Sequence, residues 1–239
     1  MKTLAIGDIH GRPIWKEILD KEKDFDKLIF IGDYFDSYNG YNGPKEKSNF
    51  LEICKLKKEN PNQVILLIGN HDYQYFDLTS GEQYTGFQDK YAFDFNIALR
   101  ENMDLLQLCY TENNTIFSHA GISKGFLVNK GIITKEEKFE SFDYLDLVVK
   151  LNDLMKYKPN EFSFTLNMLF DDKGDDIIQS PIWIRPYSLA LSSIPIRQVV
   201  GHTRVDLITN ISDRIYLIDA LKNRQYLKIE DEVFKIESL

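Results

Sequence analysis

Five short, mostly apolar runs, each followed at once by polar residues or glycine, set the hydrophobic pattern of the chain. The runs are Thr3–Ile6, Leu28–Ile31, Val64–Ile68, Thr115–Phe117 and Arg197–Val200. Runs of this length and character are typical of strands that are buried on both faces. We therefore predict an α/β (or α+β) fold in which ligands gather at the carboxyl ends of the strands.

Helical periodicity fills the segments between several of these runs. Pro13–Lys21 and Pro44–Asn60 are predicted to be amphipathic helices. Lys135–Tyr157 is predicted to be a longer one, inside a segment with little strand character, residues 123–180. We expect this segment to be a mostly helical insertion that borders the functional site. Its charged run, residues 171–176, lacks the ligand spacing and closing Glu of an EF-hand and is predicted to be a solvated turn.

Three further runs near the end of the chain are separated by polar turns. Ile215–Ile218, Gln225–Ile229 and Val233–Ile236 predict a C-terminal antiparallel β meander. No repeat, low-complexity segment or linker interrupts the 239 residues, and a chain of this length suits one large domain. We expect a single domain over residues 1–239.

Composition narrows the class of protein. The formal net charge of −8 argues against a general nucleic-acid coat or a membrane-surface protein. It leaves room for a phosphate substrate, because bound cations can reverse the local field. No apolar stretch approaches the roughly 20 residues of a membrane span, and the segment before Gly7 is too short for a signal peptide. Together with only two cysteines, Cys54 and Cys109, this predicts a cytoplasmic protein.

The histidines carry the strongest chemical signal. The polar clusters that follow the apolar runs contain Asp8, Asp33, Asn70 and all four of the chain's histidines: His10, His71, His119 and His202. A mixed set of imidazole nitrogens with carboxylate and amide oxygens suits zinc, iron or manganese. The set is too large for one ion with open positions. It therefore predicts two divalent metal ions that share one carboxylate.

The ordered motifs resemble those of the calcineurin-like metallophosphoesterases, and more narrowly those of the phosphoprotein phosphatase branch. That branch includes bacterial Ser/Thr phosphatases and diadenosine tetraphosphate hydrolases. The matching stretches are Gly7-Asp8-Ile9-His10-Gly11, Gly32-Asp33-x-x-Asp36, Gly69-Asn70-His71-Asp72, His119-Ala120-Gly121 and Gly201-His202-Thr203. Trp183-Ile184-Arg185-Pro186 also resembles a Trp-x-Arg segment of bacterial members. The resemblance implies a two-sheet αββα sandwich with a dimetal site at the strand ends.

Carried over by position, the resemblance also implies a set of metal ligands. Asp8 and His10 would hold the first metal, and Asp33 would bridge both. The second metal would be held by Asn70, His119 and His202. Manganese is the preferred ion, with iron or zinc as alternatives.

The resemblance further implies hydrolysis by attack of a metal-bridging hydroxide on phosphorus, with a histidine as general acid. His71 would be that acid, and Asp36 would orient it. If residues 70 and 71 are extended, alternation turns the Asn70 and His71 side chains to different sides. His71 could then face the leaving group without being a metal ligand.

Two departures from the family pattern concern substrate binding. Ser37 stands where eukaryotic-like protein phosphatases have the arginine of Asp-Arg-Gly, and Asp72 stands where the branch usually has Glu. Arg185 could supply a bidentate phosphate contact in place of that arginine. Arg12 is a second candidate for the phosphate contact, and Asn70 is expected to reach the phosphate as well as a metal.

We therefore predict a dimetal phosphomonoesterase of the bacterial Ser/Thr protein phosphatase type, acting on a phosphorylated substrate that is a phosphoprotein or a nucleotide. One alternative is a hydrolase of dinucleoside polyphosphates or other nucleotides. A non-enzymatic alternative is a phosphate-binding regulatory protein on a phosphatase fold. The sequence does not predict the oligomeric state.

Overall fold

A computed structural model describes residues 1–38, 43–79, 83–140, 142–165 and 175–239. Within these ranges the strands form two sheets. The strands are β1 Lys2–Ile6, β2 Lys27–Phe30, β3 Val64–Leu67, β4 Leu106–Gln107, β5 Cys109–Glu112, β6 Thr115–Ser118, β7 Arg197–Val200, β8 Thr209–Ile211, β9 Ile215–Leu217, β10 Gln225–Glu230 and β11 Val233–Ser238. All five predicted strands are confirmed.

Strand order brings the predicted motifs together at the carboxyl ends of the parallel strands. The first sheet has the order β11-β10-β1-β2-β3-β4, and its strands β1 to β4 run parallel. The second has the order β5-β6-β7-β9-β8, with β6, β7 and β9 parallel. Because parallel strands end on the same side of a sheet, the segments after β1, β2 and β3 are neighbours, as are those after β6, β7 and β9.

Helices cover both outer faces of this pair of sheets. The α-helices are α1 Ile14–Lys21, α2 Gly43–Glu59, α3 Asn70–Tyr73, α4 Ala92–Glu101, α5 Lys124–Asn129, α6 Tyr144–Tyr157 and α7 Pro186–Leu191. Short 3-10 helices span Asp89–Tyr91, Met103–Leu105, Pro159–Phe162 and Leu221–Asn223.

The apolar clusters follow the alternation of side chains along the strands. Leu4 and Ile6 of β1 pack in one cluster with Trp15 of α1 and Phe50 of α2. Ala5, between them, faces the other way into a second cluster, which joins the two sheets through side chains such as Ile29, Phe117 and Val199. The outer face of the second sheet packs against α5 and α6, for example through Ile116, Phe126 and Leu151. The predicted αββα sandwich is confirmed.

The predicted helix Lys135–Tyr157 is too long at its start. The helix begins at Tyr144, because the Asp143 side chain accepts hydrogen bonds from the backbone N–H groups of Leu145 and Asp146 and so caps it. Apolar side chains in the coil before this cap, Phe139 and Phe142, still pack against the core of the second sheet.

The insertion is also less helical than expected. In the described part of residues 123–180, only α5, α6 and one 3-10 turn are helical. These helices cover the outer face of the second sheet, whereas Phe164, in the coil after the 3-10 turn, is the described residue of the insertion that lines a cavity at the carboxyl ends of the strands. The turn predicted at residues 171–176 lies, up to residue 174, outside the described residues.

The C-terminal strands divide between the two sheets. β10 and β11 form the predicted antiparallel hairpin at the edge of the first sheet. The run predicted as the first strand of the same meander is β9, which instead pairs parallel with β7 in the second sheet. Within the part of the chain that the structure describes, no helix has the length and apolar character needed to cross a bilayer.

Candidate active site

The loops after β1 and β2 are joined by backbone hydrogen bonds. The backbone N–H groups of Ile9, His10 and Gly11 donate to the carbonyl oxygens of Gly32, Asp33 and Tyr34, respectively. His10 has a φ of 42° and Asp33 a φ of 52°, in the left-handed region that non-glycine residues seldom adopt. This backbone conformation brings the two side chains together, with His10 Nε2 at 3.7 Å from Asp33 Oδ2.

The second sheet contributes two histidines to the same place. His119, directly after β6, has its Nε2 at 2.9 Å from Asn70 Oδ1 and 3.4 Å from Asp33 Oδ1. His202, after β7, has its Nδ1 at 2.8 Å from the same Asn70 oxygen. The His202 backbone N–H donates to both carboxylate oxygens of Asp8 at 3.1 Å. The six predicted ligand residues therefore converge where the edges of the two sheets meet.

Each of the three predicted histidine ligands has one ring nitrogen committed to a backbone carbonyl. His10 Nδ1 lies 2.8 Å from Phe35 O, His119 Nδ1 lies 3.0 Å from Ile31 O, and His202 Nε2 lies 3.0 Å from Trp183 O. Since these nitrogens must donate, the opposite ring nitrogens carry lone pairs. A carbonyl that fixes the tautomer in this way is the usual partner of a metal-bound histidine.

Ionisation in the cluster also fits cation binding. Burial lowers the pKa of all three of these histidines, that of His119 to about 3, and so keeps them neutral. Burial raises the pKa of Asp8 and Asp33 well above the ordinary value, and neighbouring carboxylates raise both pKa values further.

The donor set therefore fits a bound divalent cation. The Asn70 oxygen and the histidine nitrogens that face it are all acceptors, so they repel one another until a cation lies between them. Ligand atoms of Asp8, Asp33 and His119 lie within 4.8 Å of one another. Nitrogen and oxygen donors in this mixture suit zinc, iron or manganese.

Close backbone packing holds the two carboxylates in place. Added Cβ atoms at Gly69 and Gly201 would collide with the carboxylates of Asp33 and Asp8, respectively. Asp72 accepts hydrogen bonds from the backbone N–H groups of Asp33, Tyr34 and Gly69 at 2.7–2.9 Å. Its side chain thus fastens the loop after β2 to the loop after β3, and burial raises its pKa to about 7.

His71 lies beside this cluster and is held by Asp36. His71 Nδ1 is 2.9 Å from Asp36 Oδ2. The buried Asp36 carboxylate also accepts hydrogen bonds from Gln74 Nε2, from the Tyr75 hydroxyl and from Gln88 Nε2. The predicted pairing of His71 with an orienting carboxylate is therefore present in the geometry.

The expected backbone around His71 was wrong. Residues Asn70–Tyr73 form a short helix rather than an extended segment. Successive side chains on a helix point about 100° apart rather than 180°. Asn70 still faces the histidines, while His71 faces a cavity of about 660 Å³. The helix therefore also directs these two side chains to different places.

This cavity is the space in which a substrate would meet the cluster. Its lining contains four predicted ligands and the predicted acid, which are His10, Asp33, Asn70, His202 and His71. Asp8 and His119 are buried beneath it. Arg185 also lines the cavity and donates one hydrogen bond, from an Nη atom to Thr203 Oγ1 at 3.4 Å.

The expectation for Arg12 is corrected. Its side chain is buried and is not part of the cavity lining. It donates to the backbone carbonyl of Asp8 at 3.2 Å, which turns the guanidinium into the loop after β1 rather than toward a substrate. Its charge opposes the rise in the pKa of Asp8 that burial and Asp219 cause.

Several cavity residues lie outside the sequence-based set. Arg204 and Asp219 bring opposite charges to the lining, and aromatic side chains form much of the remaining wall: Tyr38, Tyr84, Phe164 and Trp183. Asp219 follows a predicted strand directly, so the strand-end pattern that identified the other acids could have identified it. A second cavity, of about 620 Å³ beside Tyr73 and Arg100, is lined by none of the predicted site residues.

Comparisons with known proteins agree with this architecture. Among solved structures, a cold-active protein-tyrosine phosphatase from the psychrophile Shewanella sp. superposes with a TM-score of 0.65 at 17% identity, over 100% of this chain and 80% of that one. A protein serine/threonine phosphatase from Saccharomyces cerevisiae gives a TM-score of 0.53 at 14% identity, over 100% and 79% of the two chains. At this identity the likeness concerns the fold.

Sequence comparison gives the family. No curated protein matches the chain. A family model for calcineurin-like phosphoesterases matches residues 1–218, which contain every motif described above. The chain therefore belongs to the calcineurin-like phosphoesterase family.

Proposed function

We propose that the chain is a metal-dependent phosphomonoesterase of the Ser/Thr protein phosphatase type, acting on a phosphoprotein. One observation carries the proposal: His71, held by Asp36, faces the same cavity as the predicted metal ligands. A histidine that can donate a proton to the leaving oxygen thus lies beside the residues that would hold phosphate-binding metal ions. The proposal includes a dinuclear centre, with manganese as its preferred ion, and a cytoplasmic setting.

The ligand residues would divide between two ions. Asp8, His10 and Asp33 would hold one, while Asp33 would share the other with Asn70, His119 and His202. When bound, such ions supply Lewis-acid stabilisation of phosphoryl oxygens and a nucleophilic water at neutral pH.

The side chains around this centre bind the phosphate group and donate the proton to the leaving oxygen. Arg185 donates hydrogen bonds to the non-bridging phosphate oxygens and orients the ester in the cavity. Protonated His71 donates from Nε2 to the leaving oxygen, since its Nδ1 is committed to Asp36. Asp36 keeps the imidazole in this orientation and stabilises its positive charge.

A second candidate function is hydrolysis of a dinucleoside polyphosphate or another nucleotide. The specific observation in its favour is the aromatic part of the cavity wall. Tyr84 and Phe164 line the cavity and pack on Trp183, with ring centroids 4.4 Å and 5.2 Å from the indole. Such rings bind the flat face of a nucleobase as well as an aromatic side chain.

A substrate panel tests the proposal. The purified chain, with manganese added, is assayed on phosphoserine and phosphotyrosine peptides, p-nitrophenyl phosphate, bis(p-nitrophenyl) phosphate and a dinucleoside polyphosphate. The proposal expects the monoesters to be hydrolysed most efficiently, with the phosphoserine peptide among the good substrates. Preference for the dinucleoside polyphosphate favours the second candidate, and preference for the diester overturns both. Metal bound without hydrolysis of any substrate favours a phosphate-binding regulatory protein.

A further inference from the structure

Arg204 presents to the candidate active site a guanidinium that has no hydrogen-bond or ion-pair partner among the described residues. It lies two residues after His202 and lines the same cavity. Among the residues that the structure describes, none forms a hydrogen bond or ion pair with its guanidinium, and the side chain is exposed. Its donors are therefore available to a ligand. Arg185, which also lines the cavity, donates a long hydrogen bond to Thr203, and its guanidinium makes no other hydrogen bond with the described residues.

The Arg204 guanidinium lies over the ring of Tyr38. The Arg204 guanidinium carbon lies 5.3 Å from the centroid of the Tyr38 ring, within the range of a cation–π contact. A cation–π contact pairs no N–H group with a polar acceptor, so the N–H groups of the guanidinium stay available to bind an anion.

The same tyrosine links Arg204 to the predicted acid. The Tyr38 hydroxyl is 3.4 Å from His71 Nε2, the nitrogen that would protonate the leaving oxygen. The Tyr38 ring also meets the His10 ring edge-on, at 5.4 Å between centroids. Arg204 is therefore held one side chain away from both a predicted metal ligand and the predicted acid.

The charges that line the cavity explain how an arginine at position 204 would help to bind a phosphate monoester. A phosphate monoester carries about two negative charges near neutral pH, whereas a diester carries one. The cavity wall includes the carboxylates of Asp33 and Asp219, which disfavour a dianion. Two guanidinium groups on the same wall oppose this repulsion and can bind the non-bridging oxygens of the dianion.

We propose that Arg204 is a second phosphate-binding residue of the site, that Tyr38 positions it, and that it favours monoesters over diesters. This inference rests on the proposed phosphoesterase function and adds a residue that selects the substrate class.

The test separates phosphate affinity from turnover. The dissociation constant of inorganic phosphate is measured by calorimetry on the manganese-loaded protein. The variants are Arg204→Ala, Arg204→Lys, Tyr38→Phe and Tyr38→Ala, with Arg214→Ala as the control because Arg214 is exposed and lies outside the cavity. In parallel, kcat/KM is measured on p-nitrophenyl phosphate and bis(p-nitrophenyl) phosphate.

Arg204→Ala is expected to weaken phosphate binding by about 10- to 100-fold, the loss typical of a hydrogen bond to a charged group. The kcat/KM for the monoester is expected to fall by a similar factor and that for the diester by less than about threefold. Arg204→Lys should recover part of the affinity, since lysine keeps the charge but not the planar donor pair. Tyr38→Ala should weaken phosphate binding by about threefold, whereas Tyr38→Phe keeps the ring and should leave the affinity unchanged.

Metal content and melting temperature, which should match the wild type, show that each variant is folded and loaded. Phosphate affinity of Arg204→Ala equal to that of Arg214→Ala would overturn the inference, and so would equal losses on monoester and diester. Tyr38→Phe weakening phosphate as much as Tyr38→Ala would overturn the positioning role of the ring. If the wild type prefers the diester, the proposed function fails, while the calorimetric result still decides whether Arg204 binds phosphate.

Discussion

The two ends of β1 hold buried carboxylates in opposite circumstances. At the start of the strand, Glu22 is 6% exposed, and its carboxylate meets Lys2 Nζ at 2.5 Å, the Tyr226 hydroxyl at 2.8 Å and Lys228 Nζ at 3.2 Å. Burial raises the pKa of Glu22, but these three partners outweigh it and lower the pKa to about 2. Past the other end of the strand, where the loops after β1 and β2 meet, burial and neighbouring acids raise the pKa of Asp8 and Asp33.

The opposite pKa shifts distinguish a carboxylate that stabilises the fold, Glu22, from carboxylates that can bind a cation, Asp8 and Asp33. Glu22 finds its counter-charges within the chain, so ionisation favours the folded state. Asp8 and Asp33 lie near another buried acid, Asp219, and only part of their charge is balanced by backbone donors and Arg12. A buried charge without full compensation is costly, and a bound cation supplies what is missing.

The largest expected effect is the loss of the bridging charge. Asp33→Asn should lower monoesterase turnover by more than about 10⁴-fold, since each ion contributes several kcal/mol to transition-state stabilisation. Elemental analysis should show both ions weakened together, down from about two per chain. In chelator-treated protein the same change should raise the melting temperature, because it removes an uncompensated buried charge. A variant that keeps both ions would contradict the bridging role, and a metal-free variant that melts lower would contradict the contrast with Glu22.

The second largest effect is expected for His71→Asn, which separates acid catalysis from metal binding. His71→Asn should lower turnover of an alkyl phosphate by about 10²–10⁴-fold, the usual range for a positioned general acid, with metal content near normal. The loss should be smaller for p-nitrophenyl phosphate, whose leaving group needs little protonation. Equal losses on both esters, with metal retained, would leave His71 as a ground-state phosphate binder.

The Glu22 cluster allows a test of stability against pH. The folded-state pKa of about 2 lies below the unfolded value near 4.5, so the stabilisation is present above pH 4.5 and lost as the pH falls toward 2. Glu22→Gln should therefore lower the free energy of unfolding by up to about 3 kcal/mol at pH 7, and by progressively less below pH 4.5. Urea unfolding of both proteins at each pH gives the difference.

The control for this experiment is an exposed glutamate that pairs with a cation. Glu17 contacts Arg224 at 2.6 Å, with both side chains about half exposed. Glu17→Gln should change the free energy of unfolding by no more than about 0.5 kcal/mol at any pH. A pH-independent difference between Glu22→Gln and the wild type would show that the carboxylate's charge is not the cause.

The smallest expected effect concerns an acid inside the site that resembles Glu22 in being fully partnered. Asp36→Asn should lower turnover by about tenfold, in the lower range seen when an outer-shell orienting group is removed. The substrate dependence should follow that of His71→Asn, because Asp36 acts through the imidazole. A loss that is independent of the leaving group would indicate a general disturbance of the Tyr75 and Gln74 network instead.

Residues inside strand-end motifs could be identified from the sequence, because a parallel sheet fixes where its strand ends lie. The predicted ligands Asp8, Asp33, Asn70, His119 and His202 lie close together for this reason. The same pattern marks Asp219, but its strand was assigned to a C-terminal meander. The parallel pairing of β9 with β7 places Asp219 at the same carboxyl ends as the predicted ligands. Periodicity alone does not predict which strands pair.

Other features depend on contacts that no local pattern encodes. Arg204 and Tyr38 belong to different strand-end loops, and their cation–π contact follows from the meeting of the two sheets. Arg12 was predicted to bind phosphate from its place two residues after His10, but its guanidinium is drawn to the buried backbone of its own loop. The start of α6 depends on the side chain of Asp143, which a hydrophobic pattern passes over.

The hydrogen bonds from the His202 backbone to Asp8 join residues that are 194 positions apart in the chain. Contacts between such distant partners are expected to form slowly, because the entropy of closing a long loop is lost before the contact is gained. During synthesis on the ribosome, Asp8 and His10 leave the exit tunnel long before His119 and His202. We therefore expect the second metal site to be completed late in the biogenesis of this protein, so that nascent chains truncated before His119 do not retain two metal ions.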